Sequence, residues 1–429
     1  MNPMVASRAM KRTLSIPLAL LAIAATPRAE PADELHARAM RLHRSAIVVD
    51  THEDVPYWLE EKGWADIGKR LTTGHVDIPR LKEGGVTGPF FAAYVPAAFA
   101  QRGSAKKALE TIELVHQLVA DQPELVLAES PEAIRDAKRR GKIGVAIGIE
   151  GGHAIENSLG ALAAFHRLGV RYMTLTHTNT NAWADSSGSF WRPDFDPKKY
   201  AVHGGLTDLG REVVLEMNRL GMLVDVSHVS DDTIADVLET SRAPVFASHS
   251  SCRALSNIPR NLTDDQIRSI AATGGVVMVN IGSIFLDQKV VDDFLAKRAA
   301  LGPQFAEIAR KYKEDPKKIE EEVGKLMEGI RTRRASWRAA VDHIERILKV
   351  GGTRAAGLGT DFDGIEDPPE GLEDVSKLPV ITEELLSRGH SEEEVRGVLG
   401  ENFLRFWERA NAARSKVPTR KEPLPFSKP

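Results

Sequence analysis

The chain has 429 residues, 42% hydrophobic and 27% charged, with a formal net charge of −3 and one cysteine. That composition is ordinary for a globular protein able to bury a large core. It excludes an internal disulfide, and the slightly acidic balance argues against a nucleic-acid partner.

At the start, Arg8, Lys11 and Arg12 precede "LSIPLALLAIAA", with small residues at Ala22, Ala24 and Ala25. This is the pattern of a secretory signal peptide, too short for a spanning helix. We read residues 1–29 as a leader with cleavage after Ala24, Ala25 or Ala29, and expect a soluble periplasmic or secreted protein. No paired arginines or cysteine mark a twin-arginine or lipoprotein signal. Losing Arg8, Lys11, Arg12 and Arg28 takes the formal charge from −3 to −7.

Eight short apolar, β-branched runs follow: "AIVVD", "GPFFAAY", "KIGVAIGIE", "RYMTLTH", "GMLVDVSH", "APVFASHS", "GGVVMVNI" and "RAAGLGTDF". Helix-period segments at 108–122, 206–221 and 263–275 lie between them. Strands apolar on both faces and alternating with helices predict a parallel sheet covered on both sides. We expect an α/β fold, a (β/α)8 TIM-like barrel over 30–429, with a doubly wound open sheet as the alternative. The barrel is favoured because Asp50, Glu150, His177, His228, His249 and Asp361 fall at or just beyond strand C-termini, which converge on one mouth in a barrel.

A mixed-charge run at about 286–350 reads as a helical insertion before the last strand, its charges forming a solvated face. The tail at about 411–429, rich in proline and lysine, reads as extended. Cys252 reads as a small packed residue.

The strand ends carry the chemistry. In "DTHEDVP", residues two apart point the same way along an extended chain, so His52 and Asp54 form a candidate ligand pair. Glu150 ends an apolar strand, where an unpaired carboxylate is costly; a metal is the simplest partner, and Glu150 could bridge two. His153, past Gly151 and Gly152, is either a further ligand or a packing residue. His228 and His249 end adjacent strands. Three imidazoles and two carboxylates without thiolate suit zinc or a similar divalent ion. Asp225 lies on the opposite face of its strand from His228 and reads as a supporting or structural residue. Two metals about 3.5–4 Å apart lower the pKa of a shared water toward about 7, making a zinc-bridged hydroxide. Asp361 then serves as proton shuttle, unless it caps a helix, and His177 steadies an oxyanion. Arg260, in the loop before a capping box at Thr263, suits a substrate carboxylate.

In order, "DTHEDVP", "IEGGH", "YMTLTHTNTNAWADS", "VDVSH", "SHSSCRAL", "RNLTDDQI" and "GTDFDG" resemble the membrane (renal-type) dipeptidases, binuclear-zinc (β/α)8 enzymes of the amidohydrolase type, over residues 40–410. The resemblance implies two Zn2+ per chain: His52 and Asp54 on the first, Glu150 bridging, His228 and His249 on the second. It implies that His177 and Arg260 bind substrate, with Arg260 on the terminal carboxylate, and that Asp361 delivers a proton to the leaving amine. It further implies cleavage of dipeptides with free amino and carboxyl ends, tolerance of a C-terminal D-residue and of some β-lactams, and a homodimer. This tail carries no hydrophobic anchor signal, so no membrane attachment is expected.

The chain departs from some relatives at Thr51 and Glu53, which flank ligands. It also has Gly282 near where renal-type relatives carry an aromatic, which predicts a reshaped pocket. Competing readings are a lactonase or N-acyl amino acid hydrolase on the same metal pair, and a non-catalytic metal- or solute-binding protein.

Overall fold

The computed structural model describes Met1 and residues 31–414, apart from 101 and 331; the remainder of the expected leader and the tail from 415 lie outside these residues. Nine parallel strands are present among them: β1 (Val48–Glu53), β2 (Val86–Tyr94), β3 (Leu125–Leu127), β4 (Ile143–Glu150), β5 (Val170–Thr174), β6 (Leu223–Asp225), β7 (Phe246–Ala247), β8 (Val276–Val279) and β9 (Ala356–Leu358). Eight of them close a ring in the order β1, β2, β4, β5, β6, β7, β8, β9 and back to β1. Helices cover its outside, so the fold is the expected (β/α)8 barrel.

Every residue of β1, β4, β5 and β8 is buried, which is why the strands read as unbroken apolar runs rather than alternating ones. The ninth strand, β3, was not expected. It pairs only with the first half of β4, Leu125↔Ile143 to Leu127↔Val145, while the second half of β4 pairs with β2. Three residues are too few to show a period.

Helix starts follow local chemistry. Thr263 Oγ1 accepts from Gln266 N while the Gln266 side chain accepts from Thr263 N, the expected capping box at the head of Asp264–Ala272. Asp208–Leu220 starts with Thr207 capping Gly210 and stops at Gly221, whose φ of 79° is left-handed.

The charged run expected as one insertion over 286–350 divides in two. Ser283–Leu286, Gln288–Ala300, Gly302–Lys311 and Pro316–Glu328 form the excursion. The next helix, Arg338–Gly351, buries Ala340, Val341, His343, Ile344, Ile347 and Leu348 and packs on β8, β9 and the 264–272 helix, so it belongs to the barrel's outer layer. The tail also differs from expectation at its start: the helix Asn402–Ala413 runs through Asn411, with Ala413 buried.

That last helix floors the barrel. Phe403 meets the edge of Phe90 at 5.3 Å between ring centres, Trp407 lies 5.6 Å from Phe90, and Phe406 5.1 Å from Phe246. Above them Tyr172 lies 5.5 Å from both Phe90 and Phe246. A Cβ at Gly148 would come 2.0 Å from the Tyr172 ring, so β4 carries glycine where the phenol crosses it. Cys252 is buried with Sγ against the His343 carbonyl at 3.6 Å, and burial pushes its thiol up to about 12, as befits a packing residue.

Candidate active site

The site is built at the C-terminal mouth. His52 lies on β1 and Asp54 immediately after it; Glu150 ends β4; His177, His228, His249 and Asp361 follow β5, β6, β7 and β9. One atom organises them. Glu150 Oε1 lies 2.9 Å from His228 Nε2, 3.3 Å from His249 Nε2, 3.6 Å from His52 Nε2 and 3.8 Å from His177 Nε2. His52 Nε2 is also 3.4 Å from Asp54 Oδ2. Burial raises the Glu150 pKa, but the facing imidazoles of His177, His52, His228 and His249 outweigh it and hold the carboxyl well below its usual range.

This donor set fits divalent metal. The Nε2 atoms of His228 and His249 face each other at 2.9 Å, and His52 Nε2 and Asp54 Oδ1 are buried without a hydrogen-bond partner among the described residues. Buried polar atoms are ordinarily partnered, so converging lone pairs left over in this way call for a cation. His52, Glu150 and His249 form one group with ligating distances, Glu150, His177 and His228 a second, and His52, Asp54 and Asp361 a third.

Two site residues hold left-handed backbone, His228 at φ 66° and Asp361 at φ 64°, a strain typical of functional positions. Asp361 and Asp54 also crowd Gly364, where a Cβ would lie 2.5 Å and 2.3 Å from their oxygens. Burial pushes the Asp361 carboxyl well up, reinforced by Asp54 and Glu150 and opposed by His52. His177 is driven down to about 4 by burial, against the pull of Glu150, so its imidazole is neutral at pH 7.

Above the cluster a cavity of about 500 Å³ is lined by Tyr57, Tyr94, His177, Arg260, Phe285 and Met327 among others. Arg260 is 2% exposed. Its Nη atoms donate to Ser250 Oγ at 3.2 Å and the His249 carbonyl at 3.1 Å, and its guanidinium lies 5.5 Å from the Phe285 ring centre. No carboxylate pairs with it among the described residues, and Nε has no partner. Gly282 bears no ring, yet Phe285, Phe190 and Trp191 line the cavity, so an aromatic wall stands there from other positions. The excursion helix contributes Gly324, Met327 and Glu328 to the same wall.

A family model described as "Membrane dipeptidase (Peptidase family M19)" matches residues 36–421. The chain belongs to the membrane dipeptidase family. It is therefore a metal-dependent dipeptidase. Dipeptidase 3 of Mus musculus is 35% identical over 386 residues, 89% of this chain and 68% of the mouse protein. Among solved structures, the probable dipeptidase PvdM from Pseudomonas aeruginosa superposes with a TM-score of 0.79 at 27% identity, covering 89% of this chain and 99% of that one. A metallopeptidase from Rhodobacter sphaeroides, solved with a phosphinate mimic of the dipeptide L-Ala-D-Ala, gives 0.67 at 26% identity, covering 85% and 100%. Among the described residues of this membrane dipeptidase homologue, no helix is long and apolar enough to cross a membrane.

Several residues around the site escaped the sequence reading. Asn280 donates Nδ2–H to Asp361 Oδ2 at 2.7 Å. Tyr172 Oη lies 2.7 Å from His52 Nδ1. Asn280 had a signal, since it follows β8 just as the other site residues follow their strands; Tyr172 reads as an ordinary strand aromatic. Asp50, counted among the mouth residues, instead accepts from Thr360 N and Oγ1 and from His52 N, tying β1 to β9. His153 is buried in the turn Gly152–Ile155 with its ring against Gly151. Thr51 donates to the Ser248 carbonyl at 2.6 Å. Glu53 is fully buried, and burial beside Asp50 and Asp363 pushes its carboxyl well up.

Proposed function

We propose that this chain hydrolyses dipeptides bearing a free amino and a free carboxyl end, with two zinc ions held by His52, Asp54, Glu150, His228 and His249. Such ions lower the pKa of coordinated water toward about 7 and polarise the scissile carbonyl. Asp361, oriented by Asn280, takes the proton of the attacking water and passes it to the amine nitrogen as the C–N bond breaks. Neutral His177 donates a ring N–H to the oxygen of the scissile carbonyl as it gains charge. Arg260 receives the substrate's terminal carboxylate through Nε and its remaining Nη hydrogens.

The observation that carries this reading is Arg260 itself. A guanidinium buried without a carboxylate is expensive, and burial lowers its pKa to about 10 even though Asp361 and Glu150 pull the other way. A ligand carboxylate supplies the missing partner. The dipeptide mimic in the Rhodobacter structure supports acceptance of a C-terminal D-residue here.

The test is hydrolysis of L-Ala-L-Ala and L-Ala-D-Ala against their N-acetylated and C-amidated forms, before and after chelation. Cleavage of the free dipeptides alone, lost on chelation, is expected. Turnover of N-acyl amino acids or lactones without dipeptide cleavage would transfer the site to another amide or ester. Arg260→Ala is expected to raise KM about tenfold to a hundredfold, the worth of hydrogen bonds to a charged group. The C-amidated dipeptide, already lacking the carboxylate, should show no further loss with this variant; equal losses on both would remove Arg260 from that role. Export by the leader over 1–29 and a homodimer complete the proposal. N-terminal sequencing of the exported chain and its mass in solution check them.

A further inference from the structure

The imidazoles that converge on Glu150 are supported from behind in different ways. His52 Nδ1 meets the phenol of Tyr172. His228 Nδ1 is buried with no partner among the described residues. His249 is backed by a carboxylate through a hydroxyl: its Nδ1 lies 2.7 Å from Ser248 Oγ, and Ser248 Oγ lies 2.6 Å from Asp225 Oδ2.

Asp225 is saturated as an acceptor. Oδ1 receives Ser227 N at 3.0 Å and Ser248 N at 2.8 Å; Oδ2 receives Thr174 Oγ1 at 2.5 Å and Ser248 Oγ at 2.6 Å. With two donors on each oxygen, the only hydrogen of the Ser248 hydroxyl points at Asp225. The Ser248 oxygen then faces His249 with a lone pair, which requires the ring hydrogen on Nδ1. That leaves the Nε2 lone pair directed toward Glu150 Oε1, 3.3 Å away.

We propose that Asp225, acting through Ser248, is a positioning residue that locks His249 in its ligating tautomer and so sets the affinity of one of the two metal positions. The proposal rests on the two-metal reading given above. It also predicts an inequality: the position served by His249 has a carboxylate behind its ligand, whereas the one served by His52 has only a neutral phenol. Asp225→Asn keeps the shape but can present an N–H to Ser248. The hydroxyl then turns its hydrogen toward His249, and Nε2 takes the proton where a lone pair is needed.

The experiment titrates the apoprotein with Zn2+ against a chromophoric chelator, with a parallel Co2+ titration read in the visible spectrum. Variants are Ser248→Ala, Asp225→Asn and Thr174→Val. The wild type is expected to bind two equivalents. Ser248→Ala and Asp225→Asn should weaken one equivalent about tenfold to a hundredfold, the usual effect of losing such a supporting partner, and should alter the Co2+ spectrum of that equivalent alone. Thr174→Val removes a different donor from Asp225. It should lower the melting temperature of the apoprotein while both affinities stay within about twofold.

Wild-type affinity for both equivalents in Ser248→Ala would overturn the proposal. So would a loss in Thr174→Val as large as that in Ser248→Ala, since Asp225 would then act only by holding strands together. A wild-type chain that binds no zinc would instead overturn the two-metal reading itself.

Discussion

Asp361→Asn is expected to lower kcat by about two to four orders of magnitude, the range for removing a positioned acid–base group, with KM and metal content little changed. The substitution keeps the side-chain volume, so the crowding against Gly364 and Asp54 is preserved. What it removes, on the proposed mechanism, is the ability to take a proton from water and deliver it to the leaving nitrogen. The position is strained, half-buried and held by Asn280, the conditions under which a carboxyl can trade protons rather than remain permanently ionised. Because Asp361 also lies within ligating reach of His52 and Asp54, metal analysis must accompany kinetics. A fall in bound metal matching the fall in kcat would make Asp361 a ligand; unchanged kcat would exclude both roles.

Glu150→Ala should be more damaging. A single carboxylate oxygen stands within 3.8 Å of four imidazole nitrogens. Without it, no anion remains between the His52 side and the His228 and His249 side. We expect binding to drop to one equivalent of metal or fewer, with kcat/KM lower by about a thousandfold or more, several kcal/mol of transition-state stabilisation. Thermal stability provides an independent readout. Metal at 1,000 times its Kd contributes about 4 kcal/mol to the folded state, so added zinc should raise the wild-type melting temperature and barely move the variant. Two equivalents retained by Glu150→Ala would remove the bridge from the site.

Much of this was legible from the sequence because barrel strands advertise themselves twice, as apolar runs and as polar residues at their ends. His52, Glu150, His228 and His249 converge in space because each lies at or just beyond the C-terminal end of its strand. What lay beyond sequence reasoning was mostly contact between strands. Tyr172 looks like any β-forming aromatic until the ring closes and its hydroxyl meets His52. Ser248 and Asp225 become a relay only when β6 and β7 are neighbours. The excursion was drawn too wide because Arg338–Gly351 has one charged face, like Pro316–Glu328 before it; only packing reveals that its other face covers the barrel.

The order of these strands along the chain also governs how the protein can be assembled. β1 needs β9, some three hundred residues later, and the aromatic floor comes from the last described helix. Pairings so distant in sequence make folding slow and keep a growing chain open, with a bare β1 edge, until nearly all of it has been synthesised. A chain ended at residue 355 is thus expected to be rapidly cleaved by protease and aggregation-prone, whereas the full chain resists; equal resistance would show that the open sheet is stable alone. The proposed site residues are set in place early in synthesis or late, but none can work until the helix Asn402–Ala413 has sealed the far end.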